Sequence, residues 1–361
     1  MCHDTDRPIR VSPAKKENFK WADVLFIVAS APLPKANSKW ADVLFIVASA
    51  PLPKANFKWA DVLFTGGKYM EYRICNKEDF LQLRSLWKIC FNDSNDFIDY
   101  YFNEVCSRNV IFAAFDGEKL VSMAHLNPYT IVFNGRRKDV HYIVGVGTLP
   151  EYRKKGIMRE LMMHVIEWIK NDGEDFTYLM PEDNRYYESQ GFFRLEESHI
   201  YDAHALAARY EDRYEDMDMI HYSDVSDYLW KDFNSRIAET YDVFTMRNSE
   251  YISGLDLCCQ SEGGEVLVVT KSDRIIAIAG FMNGDKGEEI IQYITTEKDL
   301  ESLGYMIHTL SNPADEIELF GRSISDEDLI LRPGKGIMFN IINDDFKEKI
   351  MADNMLINEI V

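Results

Sequence analysis

The chain has 361 residues, of which 46% are hydrophobic and 28% are charged, so it contains enough apolar residues for a folded core and is neither disordered nor fibrous in composition. Its 60 acidic and 40 basic residues give a formal net charge of −20, which excludes a general affinity for nucleic acid or for an anionic membrane surface, because such a field repels phosphates. The same charge favours a cationic partner.

The cysteines indicate an intracellular protein. They form no C-x-x-C pair and show no Cys/His spacing typical of zinc, so we expect free thiols, a cytoplasmic location and no metal. No apolar run approaches the ~20 residues that span a bilayer, so we expect no membrane contact.

The first 69 residues consist largely of a repeat. Residues 18–36 read NFKWADVLFIVASAPLPKA, residues 37–55 repeat them with one change at Ser38, and 56–64 begin a third copy. Solenoid repeats conserve a pattern and not the full sequence, so near-identity favours a recent duplication or an artefact of the gene start over an architecture. We expect the functional protein to begin near Met70.

From Met70 the sequence predicts a strand, two helices and an antiparallel meander. Asn76 with Asp79 forms a helix-start pattern, and a second helical stretch covers about 94–105. Strands are predicted over 109–115, then to Phe133, and from Asp139 to Thr148, with a hairpin turn at Asn134-Gly135.

The most informative stretch is residues 141–173, HYIVGVGTLPEYRKKGIMRELMMHVIEWIKNDG. An apolar strand leads into a basic loop that contains Gly156, and an amphipathic helix follows until Asp172-Gly173. The free N–H groups and dipole of a helix N-terminus favour an anion, and a glycine lets the backbone approach it closely. The pattern therefore predicts a site for a pyrophosphate.

These residues resemble the acetyl-CoA-binding motif of the GNAT superfamily of N-acetyltransferases, Arg/Gln-x-x-Gly-x-Gly/Ala. Arg153 and Gly156 match it, and Met158 stands at the third position, as in the branch related to the enhanced intracellular survival (Eis) acetyltransferases. The alternative is a basic surface turn between a core strand and a core helix. Residues 176–198 support the resemblance, because they read as a strand, a short helix and a strand. GNAT domains have the same order, and two of their neighbouring parallel strands splay apart to admit the pantetheine arm.

The resemblance implies specific residues for acetyl-CoA. Backbone groups near Val146 and Thr148 would pair with the pantetheine arm, and a bulge there would turn an N–H toward the thioester carbonyl. The full cofactor set that it implies is Val146, Gly147, Thr148, Arg153, Lys154, Lys155, Gly156, Ile157, Met158 and Asn184.

The resemblance also implies an acid and a base. Tyr187, in the pattern Tyr-x-x-x-Gly-Phe, would protonate the departing thiolate, and its neighbour Tyr186 is the alternative; otherwise both rings simply pack under the sheet. In the Eis branch the C-terminal carboxylate serves as the base, which implies Val361 here. Its competitors are Asp139, His141 and Glu359.

The second half again alternates helices and strands, including a hairpin over 264–282, but no Arg-x-x-Gly loop precedes its helix near 298–310. It resembles the degenerate second GNAT-like domain of the Eis branch, and the residues that follow are too few for the sterol-carrier-like domain of longer members. We expect an α+β, three-layer fold with mixed, mostly antiparallel sheets flanked by helices. The expected divisions are the repeated segment (1–69), a catalytic GNAT domain (70–200), a degenerate GNAT-like domain (201–335) and a C-terminal tail (336–361).

The sequence thus predicts an acetyl-CoA-dependent N-acetyltransferase that acts without a metal. Its expected acceptor is a cationic amine, such as a polyamine, an aminoglycoside-like amine or a lysine side chain. A homo-oligomer is compatible with the sequence. One alternative is an acyl-CoA-binding or regulatory module without turnover. Another is an assembly protein whose N-terminal repeats recruit a partner.

Overall fold

The computed structural model describes residues 70–196, 198–320, 327–344, 346 and 355–359. The predicted repeat segment over 1–69 lies outside these residues. The helices are α1 (Phe80–Cys90), α2 (Asn95–Tyr100), α3 (Ile157–Asp172), α4 (Arg185–Glu188), α5 (Ala203–Tyr210), α6 (Asp227–Thr240), α7 (Ser249–Ser261) and α8 (Glu301–Thr309). The strands are β1 (Met70–Ile74), β2 (Val110–Asp116), β3 (Lys119–Phe133), β4 (Arg136–Thr148), β5 (Phe176–Leu179), β6 (Phe193–Glu196), β7 (Ser198–Asp202), β8 (Met217–His221), β9 (Val243–Thr245), β10 (Val266–Lys271), β11 (Arg274–Gly284), β12 (Gly287–Thr295), β13 (Glu316–Phe320), β14 (Ile330–Pro333), β15 (Ile337–Ile341) and β16 (Met355–Leu356).

Short-range signals place the first elements where the sequence predicts them. Asn76 and Asp79 form a reciprocal capping box in the turn that leads into α1, since each side chain accepts a hydrogen bond from a backbone N–H near the other. Asn134 and Gly135 both have positive φ, which matches the twist of a two-residue hairpin between β3 and β4. The fourth strand begins at Arg136, three residues earlier than predicted, because hairpin pairing continues to the turn itself.

The main sheet contains nine strands of the described residues in the order β1-β2-β3-β4-β5-β15-β6, with β9 paired to β3 and β16 paired to β9. Most neighbours are antiparallel, and β4 with β5 is parallel. The long helix α3 covers one face through Leu161, Met162, Val165 and Ile169, which are fully buried. The expected mixed, mostly antiparallel α+β fold is confirmed.

The chain returns to this sheet near its end. Strand β15 lies between β5 and β6 and pairs antiparallel with both, and Phe339 within it is fully buried. Residues 336–361 therefore include a central strand as well as a tail. The apolar run Ile337–Ile341 after Gly334 and Gly336 carried this signal in the sequence.

The second half builds two smaller sheets. Strands β12-β11-β10-β8 form a four-stranded antiparallel sheet, and β13-β7-β14 form a three-stranded one. Strand β9 and the buried segment Met355–Glu359 connect this half to the main sheet. The predicted boundary between residues 200 and 201 remains a prediction.

Candidate active site

Strands β4 and β5 separate after a single paired position. Tyr142 on β4 pairs with Tyr178 on β5, and no later residue of either strand pairs with the other. On the far edge, β5 pairs with β15 from Phe176 to Leu179. The result is the splayed pair of parallel strands that the GNAT resemblance implies, with the unpaired edge of β4 facing the gap.

A β-bulge lies on β4 at the start of this gap. Met123 of β3 faces Gly147, whereas His125 faces Val144, so Gly145 and Val146 together oppose one residue. Gly145 has φ of +61°, and a Cβ there would lie 2.5 Å from the ring of Trp87. Only glycine fits this position, and the bulge falls where the resemblance implies an N–H turned toward the gap.

The basic loop leads from the end of β4 to α3. Lys154 and Gly156 adopt positive φ, and Gly156 is the N-cap of α3. A Cβ at Gly156 would meet no atom within 4 Å, so the backbone is open to a ligand. The first N–H groups of a helix, here those of Ile157 and Met158, have no partner within the helix.

The basic side chains of this loop are exposed. Arg153 Nε donates to the Thr148 carbonyl at 2.9 Å, which ties the loop to the strand end. Lys155 Nζ lies 4.9 Å from the centroid of the Tyr152 ring. The loop thus brings three predicted cationic residues and open backbone groups to one helix N-terminus, a suitable site for a pyrophosphate.

The predicted acid, Tyr187, lies on α4 and packs in the core beneath α3. Its side chain is buried, with its ring 5.9 Å from that of Phe192, whereas Tyr186 is 56% exposed. Burial raises the pKa of Tyr187 to about 12, so the hydroxyl keeps its proton at neutral pH. Asn184 comes just before α4, and its carbonyl accepts the N–H of Tyr187 at 3.0 Å.

The candidates for the base are placed very differently. Asp139 is exposed on β4 and accepts a hydrogen bond from Thr130. His141 pairs through Nδ1 with Glu174 at 2.7 Å, and its backbone N–H donates to the same carboxylate. Glu359 is 1% exposed and accepts from Tyr178 at 3.1 Å. Val361 lies outside the described residues.

A polar cluster that the sequence analysis missed lies beside the bulge. The Tyr101 hydroxyl contacts His125 Nδ1 at 3.2 Å and Asn127 Oδ1 at 3.3 Å, and it accepts from Asn109 at 3.0 Å. His125 Nε2 is buried without a partner among the described residues. His125 and Asn127 are two polar residues spaced two apart in the strand, which was the available signal that both face one side.

The splayed strand pair, the bulge at the gap and the open helix N-terminus are arranged as the GNAT resemblance implies for an acyltransferase site. Residues 71–194 match the family model described as an acetyltransferase (GNAT) domain. This part of the chain therefore matches the GNAT acetyltransferase family, which confirms the predicted GNAT resemblance and the enzyme class, whereas the Eis branch and the tandem domains remain predictions.

Solved structures share the fold. A conserved protein from Enterococcus faecalis V583 aligns with a TM-score of 0.58 at 16% identity, covering 78% of this chain and 74% of that one. A GCN5-related N-acetyltransferase from Anabaena variabilis ATCC 29413 aligns with a TM-score of 0.56 at 16% identity, covering 76% of this chain and 73% of that one. Eis1 from Mycobacterium abscessus aligns with a TM-score of 0.51 at 14% identity, covering 76% of this chain and 74% of that one. No curated protein matches the chain significantly.

Two kinds of feature are absent from the described residues. No helix there is long and apolar enough to cross a membrane. Within the same residues, no group of three or more His, Cys, Asp or Glu side chains is arranged to hold a metal ion.

The buried imidazole of His125 predicts a pH-dependent stability. Burial lowers its pKa from 6.5 to about 3, so below pH 6.5 the unfolded chain binds a proton that the folded chain does not. The stability advantage of wild type over His125→Gln should therefore shrink by about 2 kcal/mol from pH 7 to pH 5. Denaturant unfolding of both proteins at pH 7 and at pH 5 measures this stability difference.

The matched control is His204→Gln, because the His204 side chain is 61% exposed. The difference in the free energy of unfolding between His204→Gln and wild type should change little from pH 7 to pH 5. An equal pH dependence in His125→Gln and wild type would contradict the prediction.

Proposed function

We propose that the chain is an acetyl-CoA-dependent N-acetyltransferase that transfers an acetyl group to a primary amine by direct attack in a ternary complex. The observation that carries the proposal is the separation of β4 from β5 beyond Tyr142 and Tyr178, with the bulge at Gly145 and Val146 on the open edge. An open strand edge offers backbone donors and acceptors to an extended ligand. A cytoplasmic location and self-association remain predictions.

The basic loop would hold the pyrophosphate of acetyl-CoA, which supplies the activated thioester. Gly156 fits this role because its open approach leaves the N–H groups of Ile157 and Met158 accessible. Lys154 and Lys155 would add charge, and Arg153 would hold the loop against Thr148. Val146, Gly147 and Asn184 complete the residues that we assign to the cofactor.

In the proposed reaction the bulge N–H stabilises the oxyanion while the neutral amine nitrogen bonds to the thioester carbonyl carbon. The C–S bond then breaks, and Tyr187 donates its proton to the sulfur. We assign removal of the amine proton to the Val361 carboxylate, as the family resemblance implies.

Thiol release from acetyl-CoA with a panel of amines tests this function. Amine-dependent release, with acetylated amine identified by mass spectrometry, is expected. Calorimetric binding of acetyl-CoA without thiol release for any amine would instead identify an acyl-CoA-binding module without turnover.

The cofactor loop is tested by Gly156→Leu. A side chain at a positive φ strains the loop and blocks the helix N-terminus, so the Kd for acetyl-CoA should rise at least tenfold, or about 1.4 kcal/mol. Calorimetry measures it. Gly173→Leu is a matched control, because Gly173 also has positive φ and open space but caps the opposite end of α3. Equal affinity in both variants would remove the loop from the site.

The acid is tested by Tyr187→Phe, which removes only a hydroxyl. Turnover should fall by about a hundredfold with the Kd for acetyl-CoA nearly unchanged, because the proton donor acts only in the chemical step. Tyr186→Phe, on an exposed ring, is the control. If Tyr187→Phe turns over as fast as wild type while the chemical step is rate-limiting, Tyr187 is not the acid, and Tyr186 or water must donate the proton.

The base is tested by a Gly-Ser extension after Val361. Moving the terminal carboxylate should lower turnover strongly and leave acetyl-CoA affinity unchanged, whereas an N-terminal tag should have no such effect. Steady-state kinetics compares the two proteins. Full activity of the extended chain would exclude the Val361 carboxylate as the base.

A further inference from the structure

A serine, a histidine and an aspartate form a polar cluster outside the proposed acetyl-CoA site. His221 ends β8, Ser223 follows in the short helical turn Tyr222–Asp224, and Asp256 lies on α7. His221 Nδ1 lies 2.8 Å from Ser223 Oγ, and His221 Nε2 lies 3.3 Å from Asp256 Oδ1. Among the residues that the structure describes, only His221 has a ring that contacts both a carboxylate and a serine hydroxyl.

The carboxylate of Asp256 is held in one orientation. Its side chain is 4% exposed, the Val266 N–H donates to Oδ1 at 2.8 Å, and Gln260 Nε2 donates to Oδ2 at 2.6 Å. Within the described part of the chain, its ion-pair contact is with His221 alone. A fixed carboxylate against one ring nitrogen orients an imidazole and stabilises the positive charge that forms when the ring takes up a second proton.

The turn at Ser223 determines which nitrogen of His221 carries the proton in the neutral ring. The backbone N–H of Ser223 donates to Nδ1 at 3.3 Å, so Nδ1 is an acceptor and the ring proton is on Nε2, facing Asp256. Nδ1 therefore also accepts the proton of the Ser223 hydroxyl. In the Ser-His-Asp triads of proteases the two nitrogens are exchanged, but a triad is recognised by the geometry and roles of its members.

The cluster runs from the surface into the interior. Ser223 is exposed, the His221 side chain is 28% exposed, and Asp256 is buried. The hydroxyl is thus accessible to a substrate, whereas the carboxylate is shielded from water. A nucleophile within hydrogen-bond reach of a base, which a third group orients, is the arrangement of an activated serine.

We propose that Ser223 is the nucleophile of a second, esterase site, with His221 as its base and Asp256 as the residue that positions His221. The substrate class is an uncharged ester with a short acyl group, because an acyl group on the exposed Ser223 lies at the surface and the neighbouring Asp224, also exposed, repels an anionic ester. The ring of Tyr222, centred 4.6 Å from that of His221, provides a face for an aryl leaving group.

The proposed reaction has two halves. In the first, Ser223 Oγ bonds to the ester carbonyl carbon and its proton passes to His221 Nδ1. The bond from the carbonyl carbon to the alcohol oxygen then breaks, and His221 returns the proton to that oxygen. In the second half water attacks the acyl-serine, and its proton passes through His221 to Ser223 Oγ as the acid is released. Asp256 stabilises the imidazolium in both halves.

A fluorophosphonate probe tests the nucleophile in the full chain. Ser223 Oγ should displace fluoride from phosphorus, and peptide mapping by mass spectrometry locates the new bond. Ser223→Ala removes only an exposed hydroxyl, so it should fold and lose this labelling. Ser235→Ala is the matched control, because Ser235 is exposed on α6 and its hydroxyl donates to the Lys231 carbonyl; labelling should stay at the wild-type rate.

His221→Gln tests the base. The variant keeps the serine but has no group that takes up its proton, so the rate of labelling at Ser223 should fall about a hundredfold. His204→Gln is the matched control, because His204 pairs with Asp315 at 3.2 Å and has no serine contact among the described residues.

The release of 4-nitrophenolate from 4-nitrophenyl acetate tests turnover. Wild type should release about one equivalent per chain in a rapid burst, followed by slower steady release as the acetyl-serine is hydrolysed. Ser223→Ala should show no burst. Its Kd for acetyl-CoA should equal that of wild type, because Ser223 does not belong to the proposed cofactor site.

Asp256→Asn tests the positioning residue. The nitrogen NMR signals of His221 should show the Nε2–H form of the ring in wild type and a mixture of both forms in the variant, together with a slower burst. A variant that loses the Nε2–H form but keeps the wild-type burst would exclude Asp256 from the site.

The outcomes are independent of the proposed acetyl transfer. An unlabelled Ser223 in wild type, a burst that Ser223→Ala retains, or labelling at the wild-type rate in His221→Gln would each overturn the esterase site, whether or not acetyl-CoA releases thiol. Labelling and a burst that both depend on Ser223 and His221 support the site even if no amine is acetylated.

Discussion

The separation of β4 from β5 is the constraint on which the rest of the site depends. Buried backbone groups must find partners, so a strand pair opens only where something else satisfies its edges. Here β15 pairs with the far edge of β5, which leaves that strand anchored without β4. The bulge at Gly145 bends β4, and the Trp87 ring fills the space that a side chain at Gly145 would need.

The gap connects two different sides of the main sheet. Leu126 and Ile143 pack on the side of α3, whose N-terminus bears the basic loop. Asn127 and Tyr129, next along β3, line a cavity of about 210 Å³ on the other side. Because successive side chains of a strand point to opposite faces, one short stretch of β3 contributes to both sides of the main sheet.

Signals within a few residues predicted much of the first half. The capping box at Asn76, the Asn134-Gly135 turn and the Gly156 loop are decided by local backbone chemistry, and each appears in the structure. The position of β15 was not predictable in this way, because its neighbours β5 and β6 lie about 150 residues earlier. A short apolar run specifies a strand but not its partner.

The residues that line this cavity were even harder to predict from the sequence. Gln292, Tyr251 and Glu359 come from three distant segments, and nothing in their local sequence marks them as neighbours. Glu359 was considered only as one candidate for the base. What connects these residues is their hydrogen bonds to one another, and those contacts exist only after the chain has folded.

The net charge of −20 places opposite demands on the two proposed ligands. It attracts an amine from solution but repels a polyanion such as acetyl-CoA. Three exposed cations at Arg153, Lys154 and Lys155 offset this locally, yet exposed charges are screened over about 8 Å at physiological salt. Specific holding of the pyrophosphate must therefore rely on short-range donation by the N–H groups after Gly156, which water and salt weaken less.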